Sequence, residues 1–492
     1  MVAWRLKQSY ETPLARSLPA NITVIPASPD VPLEAYCARL KELFVSTNPH
    51  SCQLIASRDI PPDIANAARE DGVAAVKNRH HQLARWLSQQ ADQTATTILQ
   101  TDYDLTPWTQ RCLHQADLVL LLADVGADPT PGPIEQALGQ LSDPQVLPRV
   151  DLVLLQKSAP YQGTMAWLRG RKIGRHYHLQ LDSTADRARA GRLLSGTDVT
   201  LVLGGGGARG LGHIGVFRAC QEVGLTIDRV GGVSIGSVVG GLIAQGHGWE
   251  EVAARIRRHF IAVGSLRRLT FPAISIDTGR RYLAQVVSLF GDTQIEDLPI
   301  TYFCVSSNLS RARVLVHRAG ALAKWVGASS SVPGIAPPLV EAGELIVDGG
   351  VLNNLPVDVA RADGAGRVIA VDVSPKVDLL MPSTYFGRPG AWEMIRARLR
   401  ERLGVSDPAN CHYPSIFSLL LRASILSSIP LTAALHKHAD LLIELPLGEF
   451  KLLDWSKMVE IVEVGRREAM GKLPSFMRFQ ELAAAVAPNE TK

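Results

Sequence analysis

Cysteine is scarce and scattered. The six thiols, Cys37, Cys52, Cys112, Cys220, Cys304 and Cys411, form no CxxC pair and no Cys/His spacing of the zinc type, which excludes a disulfide scaffold and a zinc module. They read as reduced, buried side chains, as expected of a cytoplasmic protein. An excess of one charge is missing as well. The 51 basic and 47 acidic residues leave +4, dispersed along the chain, so neither a nucleic-acid partner nor a funnel for acidic substrates is expected. The first thirteen residues hold Arg5, Lys7 and Glu11 and no apolar core segment, so no secretory signal is expected. Long apolar runs are few. Residues 230–249 are uncharged but full of glycine, and residues 415–435 are interrupted by Arg422 and Pro430, which suits a packed or interfacial helix better than a membrane span. His80-His81 and His176/His178 lack a third ligand, so no metal and no cofactor is expected.

What remains is a folded globular composition, 46% apolar and 20% charged, in a chain of 492 residues, long enough for two domains. Short β-branched or apolar runs at 22–25, 53–55, 97–99, 118–122, 150–155 and 176–181 alternate with amphipathic stretches, the pattern of a parallel α/β unit. These define an accessory domain over 1–190, Rossmann-like but with no GxGxxG after a strand and no GxxxxGK[ST], hence no phosphate cradle. A polar connecting segment at 182–198 carries the boundary, and a second α/β domain covers 191–492.

Three motifs in the second domain carry chemistry. Thr200-Leu201-Val202-Leu203 is a strand running into Gly204-Gly205-Gly206-Gly207-Ala208-Arg209-Gly210 and then a helical pattern. Bare backbone N–H groups at a helix N-terminus suit an anion or oxyanion, although the loop alone equally fits a dinucleotide turn. Next, Arg229-Val230-Gly231 leads to Gly232-Val233-Ser234-Ile235-Gly236, a G-x-S-x-G elbow that would lift the serine hydroxyl off a strand-to-helix turn. An isolated elbow is compatible with simple helix packing, but one strand-helix-strand spacing brings it beside the glycine loop. A dinucleotide fold wants an acid closing this second strand; Asp228 precedes it, and Ser234 stands at its end. Finally, Glu344-Leu345-Ile346-Val347-Asp348-Gly349-Gly350 ends a strand in an aspartate. Such a carboxylate can take a serine proton directly, or merely stabilise a turn.

In order, Gly205-x-Gly207-x-x-Gly210, Gly232-x-Ser234-x-Gly236 and Asp348-Gly349-Gly350 resemble the patatin-like phospholipase family. The block Ala328-Ser329-Ser330-Ser331-Val332-Pro333 is similar to that family too. Gln294-Ile295-Glu296-Asp297-Leu298-Pro299, Asn353-Asn354-Leu355-Pro356 and, upstream, Leu105-Thr106-Pro107-Trp108-Thr109-Gln110-Arg111-Cys112 with Gln115-Ala116-Asp117 resemble its neuropathy target esterase branch.

The resemblance implies an α/β fold in which a patatin-like three-layer hydrolase domain follows the Rossmann-like accessory domain. It implies Ser234 as nucleophile and Asp348 as its base. The loop Gly205, Gly206, Gly207, Ala208, Arg209, Gly210 would be the oxyanion hole, centred on Gly206 and Gly207, with Gly232 and Gly236 flanking the elbow. The implied activity is a metal-free lysophospholipase acting through an acyl-enzyme on lysophospholipids and phospholipids, with transient contact at a membrane surface. Fuller members of that branch carry cyclic-nucleotide-binding domains; none is expected here ahead of Asn21.

Two other readings stay open on sequence. One is a carboxylesterase of the α/β-hydrolase type with a Ser-His-Asp triad, for which His213 is the nearest histidine. The other is a nucleotide-binding regulatory protein without enzymatic activity. Arg255, Arg257, Arg258, Arg267 and Arg268, interleaved with Phe260, Leu266, Leu269 and Phe271, read as a solvated helix face or an interfacial patch, and the apolar stretch 413–435 as core or acyl-pocket lining.

Overall fold

The computed structural model describes residues 19–45, 52–66, 73–91, 94–140, 148–261, 279–374 and 416–486. Cys411, Tyr413 and the basic-apolar positions Leu266, Arg267, Arg268, Leu269 and Phe271 lie outside them.

Six short runs form the first sheet: β1 (Asn21–Pro26), β2 (Cys52–Ala56), β3 (Thr96–Gln100), β4 (Leu118–Asp124), β5 (Arg149–Leu155) and β6 (His176–Leu179). All pairings are parallel, in the order β2-β3-β1-β4-β5-β6, and each strand coincides with a run expected from sequence. Parallel strands covered on both faces should be apolar throughout, and β4 is buried along nearly its whole length. Its alternate residues feed two cores: Leu118, Leu120 and Leu122 meet the helix Leu33–Val45, while Val119, Leu121 and Ala123 meet Leu113, Ile134 and Trp167. The block around Leu105-Thr106-Pro107-Trp108 is a helix start. Thr106 Oγ1 accepts the Thr109 N–H at 3.2 Å, Pro107 occupies the first turn, and Trp108 Nε1 donates to the Gln100 carbonyl at 2.9 Å.

The expected connecting segment is a helix, Thr184–Ser195, capped by Ser183 and closed by left-handed Gly196. The position 190/191 falls inside it, and Leu193 and Leu194 pack in the core of the first sheet.

The second sheet is built from β7 (Val199–Leu203), β8 (Arg229–Val233), β9 (Thr301–Asn308), β10 (Arg313–His317), β11 (Leu339–Glu341), β12 (Glu344–Asp348), β13 (Arg367–Asp372) and β14 (Leu441–Glu444). Its order is β11-β12-β9-β8-β7-β13-β14, with β10 also paired to β9. Here too alternate residues face opposite layers: Leu201 and Leu203 join a core with Ile214, Val238 and Leu242, and Val202 joins Leu355, Val357 and Leu435. This is a helix–sheet–helix sandwich.

The helix Met458–Val486 lies along the helix Gly212–Glu222, close enough that a side chain at Gly215 would run into the Val462 carbonyl. It continues through Pro474. An interior proline costs about 3 kcal/mol, which the burial of Ile461, Ala469, Leu473 and Phe476 offsets.

The two units meet along β6. His176 Nε2 and His178 Nε2 approach the Glu296 carbonyl at 3.0 and 2.8 Å, the Thr164 N–H donates to Asp297 Oδ1 at 3.1 Å, and Arg189 Nη1 donates to the Pro299 carbonyl at 3.1 Å. The 294–299 block is thus the ledge on which the first unit sits.

Candidate active site

Strand register explains how two residues 114 positions apart come together. β8 runs parallel to β9 and ends with Val233 opposite Val305; β12 runs antiparallel to β9 and ends with Asp348 opposite Ser306. The two strands therefore advance toward each other along β9 and stop at neighbouring positions. Ser234 follows one tip and Asp348 is the other.

Ser234 sits at φ 54°, ψ −127°, a conformation costly for a residue with a Cβ. The elbow tolerates it because its flanks are bare: a side chain on Gly232 would strike the Gly236 carbonyl, and one on Gly236 the Leu203 carbonyl. The strained turn is also pinned. Buried Ser329 Oγ accepts the Ser234 N–H at 3.0 Å and donates to the Val305 carbonyl at 2.7 Å, while Ser237 Oγ donates to the Ser234 carbonyl at 2.6 Å.

Asp348 is buried, and one carboxyl oxygen, Oδ1, accepts the Gly350 N–H at 2.7 Å. Burial pushes its carboxyl up to about 6, against the opposing pull of hydrogen bonding from the Ser234 hydroxyl and the Gly350 N–H. Oδ2 has no bond of normal length and angle among the described residues, so the contact with the Ser234 hydroxyl is loose, as in many resting sites.

The glycine loop joins them from β7. The Gly205 N–H donates to the Asn354 carbonyl at 3.2 Å, and the Asn354 amide donates back to the Gly205 carbonyl at 3.1 Å. The Ala208 N–H is taken by the Leu452 carbonyl at 2.9 Å. Between these two, the N–H groups of Gly206 and Gly207, at the start of a helical turn, meet no acceptor beyond that turn among the described residues. Of the six loop positions, Gly205, Gly206 and Gly207 line the cavity shared with Ser234 and Asp348. Ala208, Arg209 and Gly210 do not: Arg209 Nε is fixed on the Phe450 carbonyl at 2.8 Å, and Gly210 lies against Ile235.

That cavity, about 140 Å³, is walled mainly by apolar side chains, among them Phe260, Val332, Ile335, Ile425, Leu452 and Trp455, with Arg422 on its wall. The apolar stretch near 425 thus contributes to the cavity. Of the basic cluster, Arg255 pairs with Glu251 at 2.6 Å.

His213 is elsewhere. It is fully buried with Nε2 2.8 Å from the Gly204 carbonyl, and burial lowers it to about 4, so it is neutral and donates through Nε2. It holds the loop's first carbonyl. Replacing it with alanine is expected to cost about 1–3 kcal/mol of stability and to leave ester hydrolysis within about tenfold, whereas loss of a triad base would cost on the order of a million-fold. Denaturant titration together with rate measurement distinguishes these outcomes.

Ser329 and Asn354 are the site residues that motif reading did not single out. Each stands in a block the resemblance highlighted, and each is a buried polar side chain bonded to the backbone of the serine elbow or the glycine loop.

An elbow serine, a strand-end carboxyl and a bare-amide loop on one α/β sheet define a serine-elbow protein. Residues 201–361 match the model of the patatin-like phospholipase family, and residues 20–200 match that of the neuropathy target esterase family P-loop like domain. Human patatin-like phospholipase domain-containing protein 6 is 32% identical over 481 residues, covering 91% of this chain and 34% of its own length. Rat patatin-like phospholipase domain-containing protein 7 is 32% identical with the same coverage, and lysophospholipase NTE1 of Yarrowia lipolytica is 30% identical over 513 residues, again 91% and 34%. Among solved structures, VipD from Legionella pneumophila aligns with 56% of this chain and 66% of its own at a TM-score of 0.35 and 14% identity. The chain belongs to the patatin-like phospholipase family, in its neuropathy target esterase branch. It spans about a third of the length of the curated relatives it matches.

Proposed function

We propose that this chain is a serine lipid-ester hydrolase that releases fatty acid from lysophospholipids and phospholipids through the pair Ser234 and Asp348. The observation that carries the reading is the head-to-head meeting of β8 and β12 on β9, which sets serine and carboxyl on one apolar cavity with the glycine loop.

Ser234 Oγ attacks the acyl carbonyl carbon as its proton passes to the Asp348 carboxylate. The N–H groups of Gly206 and Gly207 hold the tetrahedral oxyanion. Collapse breaks the ester bond, the leaving alcohol takes the proton from Asp348, and an acyl-serine remains. Water then attacks that ester, again giving its proton to Asp348, and the fatty acid leaves as Ser234 recovers its hydrogen. The apolar wall suits an acyl chain, and Arg422 suits a phosphate-bearing head group. Exposed Leu283, Leu426 and Leu453, on or next in sequence to cavity-lining residues, supply apolar surface for contact with a lipid layer. Among the described residues no helix is long and apolar enough to cross a membrane.

A methyl group at Gly207, where φ is +58°, would press on the Leu452 carbonyl and displace the loop. Gly207→Ala is therefore expected to lower kcat about 100- to 1000-fold, the cost of losing one oxyanion donor. Fatty-acid release from lysolipids, diacyl phospholipids, triacylglycerols and short soluble esters, with Ser234→Ala as control, tests the whole reading. Lipid substrates should be preferred and the control inactive. A preference for short soluble esters contradicts the reading.

A further inference from the structure

A second cavity, about 480 Å³, lies between the two units, and the proposed hydrolysis makes no use of it. Thr200 and Arg229, paired in register at the starts of β7 and β8, stand on its wall. The glycine loop and Ser234 follow the opposite ends of those strands, roughly 16 Å away along five residues of strand.

Its wall is rich in cations. Arg149, Arg175, Arg189, Arg229 and Arg318 line it, against the single carboxylate of Asp363. Behind them, Arg149 is ion-paired to Asp151 at 3.0 Å, Arg189 to Asp186 at 3.5 Å and Arg229 to Asp198 at 2.8 Å, while Arg318 takes Asp363 at 2.6 Å. Arg175 is the exception: it donates to the backbone carbonyls of Asp363 and Gly364 at 2.8 and 3.2 Å and pairs with no carboxylate among the described residues.

Several polar atoms on this wall are buried without a partner: Arg229 Nη2, Arg189 Nε and Thr200 Oγ1. Arg229 is 6% exposed and Thr200 is wholly buried. Of the buried acceptors nearby, Asp198 Oδ2 is taken up by the ion pair with Arg229 Nε, and Asp151 Oδ1 is left over; neither residue is on the wall. Leaving a buried donor unmade costs about 1–3 kcal/mol, so this donor set favours an occupant that accepts hydrogen bonds and carries negative charge. The remaining wall mixes polar His176, His178 and Thr301 with apolar side chains, Leu168 and Ile173 from the first unit and Leu298 and Phe303 from the second. The volume is that of a small-molecule site.

We propose that this cavity binds a small organic oxyanion, its phosphate or carboxylate head on Arg175, Arg229 and Thr200 and its body against Leu168, Ile173 and Leu298, bridging the two units. Such a ligand stabilises their docking, because it binds only when both walls are in place.

Calorimetric titration of the full chain at fixed ionic strength, with inorganic phosphate, glycerol 3-phosphate and hexanoate as probes, tests this. At least one probe should bind saturably at one site per chain and raise the unfolding midpoint. A phosphate-only or hexanoate-only result identifies the head group, and either supports the proposal. Arg175→Gln should weaken binding by about tenfold or more, and Thr200→Val, which keeps the shape of the buried side chain, should weaken it measurably. No saturable binding by any probe overturns the proposal, as does binding that both folded variants retain at wild-type strength.

Discussion

Alanine in place of Ser234 is expected to reduce hydrolysis by roughly 100,000-fold or more, to the level of the uncatalysed reaction assisted by binding alone. The size of the effect follows from the arrangement. A covalent intermediate needs an oxygen nucleophile at the tip of β8, and Ser237, Ser329, Ser330 and Ser331 are already committed to the Ser234, Val305, Val326 and Gly327 carbonyls respectively. The fold should survive. Alanine keeps the Cβ and the N–H that Ser329 accepts, so Ser234→Ala protein should unfold at the wild-type midpoint while releasing no fatty acid.

Asp348→Asn should separate activity from stability. Removing the proton acceptor is expected to lower kcat by about 10,000-fold, since asparagine keeps the shape and cannot take a proton. The same change should make the protein more stable. The folded carboxyl is raised from 3.8 to about 6 by burial, so below the unfolded value both states are protonated and no penalty exists. As pH rises through the folded value the buried group must ionise in a dry environment. Above it, the wild type carries a cost on the order of 3 kcal/mol, because each pH unit between the two values is worth about 1.36 kcal/mol, and the neutral amide of the variant does not bear that cost. Unfolding midpoints of the two proteins should coincide in acid, and the variant's should lie higher at neutral and alkaline pH. For the wild-type enzyme, kcat/KM should climb with pH to a level region, with its midpoint near 6, because only the ionised carboxyl accepts the serine proton.

Much of this was legible in the sequence, for definite reasons. β4 announces itself as an apolar run from Leu118 to Ala123 and β7 as one interrupted only by Thr200, since parallel strands are covered on both faces. The elbow was legible because a serine forced to positive φ requires glycines beside it, and at Gly232 and Gly236 the Gly236 and Leu203 carbonyls leave no room for a side chain. What sequence could not supply was the meeting of β8 and β12. Nothing local says that β9 receives one strand parallel and one antiparallel, ending at Val305 and Ser306. Ser329 was hidden for a related reason, as its value lies in bonds to Ser234 and Val305, 95 and 24 positions away. The roles within the loop Gly205 to Gly210 were also invisible, because which N–H groups stay open depends on the carbonyls of Asn354 and Leu452, both distant in sequence.

Treating the wild-type chain, Ser234→Ala and Asp348→Asn with a fluorophosphonate, then mapping the adduct by peptide mass spectrometry, tests the central claim most directly. The account predicts one adduct, on Ser234, formed rapidly in the wild type, far more slowly in Asp348→Asn and not at all in Ser234→Ala. An adduct on another residue, or labelling of Ser234 at an unchanged rate once Asp348 is replaced, would contradict it.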